Sequence, residues 1–79
     1  MNKTLVEAFG WYGVAAILGA YALQSFGVIG AQDLSYLVLN LTGSIAVVVD
    51  AWMAKNWQPA VLNIVWAVIA LIGLARFFF

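Results

Sequence analysis

The sequence predicts an all-α integral membrane protein, a single domain of three transmembrane helices over residues 1–79. Three observations predict it. Of the residues, 67% are hydrophobic and 8% charged, whereas soluble domains carry about 25% charged and about 45–50% apolar residues. At 79 residues the chain is too short to hide so large an apolar share inside a globule, because small globules have little interior per unit of surface. A helix crossing a hydrocarbon core of about 30 Å takes about 20 residues, so the length accommodates three crossings with ends and loops. Disorder is excluded as well, since it needs polar sequence to keep a chain solvated.

The elements follow in order. Residues 1–4 are a short polar lead, and Leu5–Phe26 is the first span. This stretch exceeds the usual 7–15-residue apolar region of a signal peptide and is read as a retained helix. Glu7 falls in its first turn, where a carboxylate suits the positive helix end. Gly27 and Gly30 break the helix, and Asp33 or Ser35 is placed to cap the next one. Leu34–Ala54 is the second span. Lys55–Gln58 is a tight turn, and Pro59 opens the third span, Pro59–Phe78, where a missing N–H costs nothing. Short connections make consecutive helices antiparallel neighbours. Helices also satisfy their own backbone in lipid. Trp52 and Trp57 flank the Lys55 turn as an interfacial belt, and Arg76 snorkels towards water beside Phe77, Phe78 and Phe79.

Composition removes several function classes. Net charge is zero, with no cysteine and no histidine. No basic patch exists for nucleic acid. Thiolate and imidazole ligands for a metal or haem are missing, so no metal site and no cofactor is expected. Asp50 is a lone acid within a span with no nucleophile–base pair beside it, so no enzyme is expected.

The informative residues are polar groups at depth. With a rise of about 1.5 Å per residue, Asn40 lies about 9 Å into helix two and Asn63 about 6 Å into helix three. Asp50 lies about 6 Å short of the Lys55 side, at a depth similar to Asn63. An aspartate within a span usually faces protein or a water-filled cavity; a partner at Lys55, about one and a half turns on, is the alternative. Tyr36, Asn40, Gly43, Val47, Asp50 and Ala54 share one face of helix two. Pro59, Asn63, Trp66, Ala70, Gly73 and Phe77 share one face of helix three. Gly10, Gly13, Ile17, Ala20 and Gln24 nearly do so on helix one. Each stripe joins small residues, which let membrane helices approach, to an amide that bonds between helices. Gly13, Ala20, Ala70 and Gly73 are the expected packing positions. Val38-Leu39-Asn40-Leu41 is echoed by Val61-Leu62-Asn63-Ile64.

Four motifs carry a resemblance: Gly10-Trp11-Tyr12-Gly13, Ala20-Tyr21-Ala22-Leu23, Leu39-Asn40-Leu41-Thr42-Gly43 and Leu62-Asn63-Ile64-Val65-Trp66. With them the chain resembles an uncharacterised branch of the small three-helix bacterial proteins of the PQ-loop superfamily, which includes the SemiSWEET sugar transporters. The resemblance implies a bundle with helix order one-three-two, pairing into a homodimer around a central pathway. It implies that Asn63 lines the solute site. The family's Pro-Gln pair stands here as Leu23-Gln24, so Gln24 matches its hinge position, and Val47 lies near the family's sugar-stacking tryptophan.

Two functions are expected to compete. The first is a dimeric, SemiSWEET-like facilitator of a small polar solute by alternating access in the bacterial inner membrane. Asn63, Trp66, Asn40, Tyr36 and Asp50 would then contact solute, and Gln24 and Gly43 would serve as hinge or gate. The second is an accessory or structural subunit of a larger membrane complex. Three crossings place the two ends of the sequence on opposite sides of the bilayer. Lys3, Lys55 and the amino terminus outnumber Arg76 and orient the N-terminus to the cytoplasm. Reporter fusions at the two ends are expected to report opposite compartments; the same compartment for both would contradict an odd number of spans.

Overall fold

A computed structural model describes residues 2–79. It contains α1 (Lys3–Ser25), α2 (Leu34–Met53) and α3 (Trp57–Phe78), each long and apolar enough to cross a membrane. At 23, 20 and 22 residues they match the hydrocarbon thickness at about 1.5 Å per residue.

The ends differ from expectation in ways the hydrogen bonds explain. The predicted polar lead is helical from Lys3, and its Met1 lies outside the described residues. Asn2 is the N-cap: its Oδ1 accepts from the backbone N–H of Thr4 at 2.7 Å and of Leu5 at 3.4 Å, serving donors that have no helical partner. Glu7 therefore sits beyond the first turn rather than at the positive end. Asp33 occupies the N-cap position of α2, but neither it nor Ser35 caps through its side chain. Asp33 Oδ2 instead accepts from Gly30 N at 2.7 Å and closes the loop. Helix α3 starts at Trp57, two residues earlier than predicted, and Pro59 still falls within its first turn.

Both inner helix ends terminate alike. Gly27 takes φ 78° and Lys55 φ 56°. Around them Val28 N donates to Leu23 O and Gly27 N to Gln24 O, while Asn56 N donates to Ala51 O and Lys55 N to Trp52 O. This pattern stops a helix with one left-handed residue. Glycine adopts that conformation freely, whereas at Lys55 the side chain costs about 1 kcal/mol. Beside the second turn, Trp52 and Trp57 meet edge to face at 5.0 Å, joining the end of α2 to the start of α3.

The helix order is one-two-three, which corrects the order implied by the resemblance. Among the described residues α1 packs on α2 and α2 on α3, while α1 and α3 do not pack on one another. Short connections, residues 26–33 and 54–56, keep neighbours in sequence adjacent in space. Helix α2 also presents a packing face to each side. Towards α1, Gly43 and Val47 meet Gly13, and Asp50 meets Gly10; towards α3, Leu37 meets Gly73. Every buried hydrophobic side chain except Val6 and Leu37 is an alanine, as expected where backbones approach closely.

The α1–α2 crossing is the tightest point. A Cβ on Gly13 would lie 2.5 Å from Val47 Cγ2 and 2.6 Å from the carbonyl oxygen of Gly43. Gly13→Ala is expected to lower stability in detergent by about 1–3 kcal/mol through overpacking, although alanine is the better helix former. Gly19→Ala, where nothing lies within 4 Å, is expected to be neutral or stabilising by up to about 1 kcal/mol. Unfolding midpoints of the two variants check the contrast.

Candidate functional site

Because α1 and α3 each pack on α2 and not on one another, they leave a furrow along one face of the central helix. Four hollows compose it, and consecutive hollows share walls. The first, about 350 Å³, is lined by Lys3, Glu7, Asp50 and Ala54 among others. Glu7 and Asp50 also wall the second, about 470 Å³, which reaches Val14 and Val47. Val14 and Val47 continue into the third, about 280 Å³, with Leu18, Leu62, Asn63 and Trp66. Trp66 then borders the fourth, about 240 Å³, which contains Gln32, Tyr36, Asn40, Ala70 and Gly73. The furrow is charged at the Lys3 end, apolar in its middle and polar again at the Gln32 end.

All five residues expected to contact solute line it: Asp50 near one mouth, Asn63 and Trp66 in the middle, Asn40 and Tyr36 towards the other. The furrow does not bring Asp50 and Asn63 into one hollow despite their similar depth. Asp50 lies on the α1 side of α2, against Gly10, and the cation sharing its hollow is Lys3 rather than Lys55. Gln24 and Gly43 lie outside the furrow. Gly43 is buried in the α1–α2 crossing, with Ile17 Cγ1 3.0 Å from where its Cβ would stand, so it serves close packing there. Gly73 stands against Leu37, Ala20 is fully buried and Ala70 nearly so.

The echoed asparagines share a local geometry and differ in what they leave free. Asn40 Nδ2 donates to Tyr36 O at 2.8 Å, and Asn63 Nδ2 to Pro59 O at 2.9 Å. Each amide thus bonds back to the carbonyl one turn earlier. Asn40 Oδ1 also accepts from Trp66 Nε1 at 2.8 Å, and Asn40 is 4% exposed. Asn40 is therefore a tie between α2 and α3 at the furrow floor. Among the described residues no donor reaches Asn63 Oδ1, and Asn63 borders the middle hollow, whose surface is almost wholly apolar.

Sequence reasoning missed a second tie. Tyr12 Oη and Thr42 Oγ1 are 2.8 Å apart, and Thr42 Oγ1 lies 2.9 Å from Val38 O. With Thr42 donating to Val38 O and Tyr12 donating to Thr42, both hydroxyl protons are satisfied where lipid offers no acceptor. Tyr12 and Thr42 fall within two of the quoted motifs, but their pairing depends on the register of α1 against α2. Ser44 is fully buried with its hydroxyl unpartnered. Among the described residues no cluster of three metal-ligating side chains occurs.

The Asn40–Trp66 bond predicts an energetic coupling. A double-mutant cycle of Asn40→Ala and Trp66→Phe is expected to show about 0.5–1.5 kcal/mol, within the range for interhelical bonds in membranes. The cycle of Asn63→Ala and Trp66→Phe shares the hollow but not the bond, and is expected near zero. Unfolding in mixed micelles checks both.

No curated protein and no solved structure matches the chain. A family model does match, over residues 6–79. That match covers all but the first five residues, and the protein belongs to this family.

Proposed function

We propose that the protein is a dimeric facilitator that passes a small polar solute across the membrane by alternating access. The observation that supports this reading is the furrow: it runs from the Lys3 end to the Gln32 end, yet lies open along one side. A solute in it would meet lipid, and a second copy with its own furrow apposed would close the path. A two-fold arrangement is the usual solution for identical chains. Polar mouths suit a hydrated solute, and the free Asn63 oxygen offers a hydrogen bond where water is scarce. Trp66 and Tyr36 offer ring faces, and Asp50 stands at the Lys3 mouth, where it would meet a cation first.

The apolar middle of the furrow favours a second reading. A groove lined by Val14, Leu18, Val47 and Leu62 also suits a helix of another subunit, as in an accessory component of a larger complex. The two readings separate in mild detergent: a homodimer supports the facilitator, and co-purified subunits support the accessory role.

Purified protein in liposomes is expected to accelerate uptake of a polar solute from a panel that includes sugars. Asn63→Ala is expected to slow it about threefold to tenfold, the equivalent of one net hydrogen bond. No uptake of any solute by the unmodified protein would overturn the proposal.

A further inference from the structure

We infer that the Trp66 indole, pinned by Asn40, is the barrier that divides the furrow into two halves, each open to one side of the membrane. The inference rests on the reading of the furrow as a solute pathway and adds where that pathway is closed. The two hollows on the Lys3 side adjoin along both Glu7 of α1 and Asp50 of α2. The second and third share Val14 and Val47, again from two helices. The third and fourth share only Trp66, so the indole stands between them as a partition.

The ring is held there by two hydrogen bonds in series. Trp66 Nε1 donates to Asn40 Oδ1 at 2.8 Å, and Asn40 Nδ2 donates to Tyr36 O at 2.8 Å. The partition is thereby tied to the backbone of the central helix. Trp66 lies about 13–14 Å along α3 from Trp57, near the middle of the bilayer, where a closure leaves a vestibule on each side. One and two turns further along α3, Ala70 and Gly73 line the fourth hollow. A solute hydroxyl that donates to Asn40 Oδ1 in place of the indole would release the ring.

The chain contains no cysteine, so single cysteines report water access directly. Val14→Cys probes the Lys3 half and Ile69→Cys the Gln32 half. Each is reacted with a charged methanethiosulfonate reagent added to one side of sealed, uniformly oriented vesicles. Val14→Cys is expected to react faster from the Lys3 side and Ile69→Cys faster from the opposite side. Adding Trp66→Ala is expected to equalise the two rates for each cysteine. Trp66→Phe keeps the ring but removes its N–H, and is expected to give an intermediate ratio; it also guards against misfolding of the smaller substitution. Equal rates in the tryptophan protein, or a ratio unchanged in Trp66→Ala, would overturn the barrier alone. Native selectivity in Trp66→Phe would overturn the role of Asn40. If both cysteines react with a lipid-soluble maleimide and neither with the charged reagent, the furrow is dry, and the solute pathway falls together with its barrier.

Discussion

Lipid gives helices no apolar reason to associate, because acyl chains are as apolar as the side chains that contact would release. Association then depends on close packing and on polar groups that find partners between helices. The Gly13–Gly43 crossing meets the first requirement. With no side chain on either residue, α1 and α2 approach until Val47 and the Gly43 carbonyl fill the space a Cβ would need. On the other side of α2 the approach is set by Gly73 receiving Leu37, and by the alanines buried along α3. The remaining architecture depends on α2 being narrow enough to be packed from two sides at once.

The furrow follows from that arrangement. A central helix packed on two flanks leaves a furrow between its neighbours, and on α2 Tyr36, Asn40 and Val47 border it. Polar groups along it divide into engaged and free ones. Asn40 and Trp66 satisfy each other; Tyr12 and Thr42 do so elsewhere on the α1–α2 seam. Asn63 satisfies its donor locally and keeps an acceptor, and Asp50 rests beside Gly10 with Glu7 and Lys3 nearby. The engaged groups tie the helices together.

Much of this was legible in the linear pattern. The three spans, their loops and the shared face of α2 follow from hydrophobic length, glycine breaks and a 4-3 spacing, all local properties. The amide echo was legible as a repeat, and its common back-bond to the preceding turn is also local. Helix ends were less legible. The cap at Asn2 is a side-chain bond from a residue type favoured there, hidden by the polar run around it, whereas a left-handed Lys55 depends on backbone hydrogen bonds that leave little mark on composition. The order of packing was not legible, because small residues on every helix permit several pairings and a family likeness suggested another one.

Sequence alone determined that this chain forms three helices long and apolar enough to cross a membrane, because 67% hydrophobic content falls in segments of bilayer length, and a helix satisfies its own backbone there. Tertiary structure alone decided that α2 stands in the middle, that Asn40 belongs to Trp66 while Asn63 stays open, and that Asp50 faces α1. Those choices depend on the register and rotation of one helix against another, which are set by contacts between residues far apart in the chain.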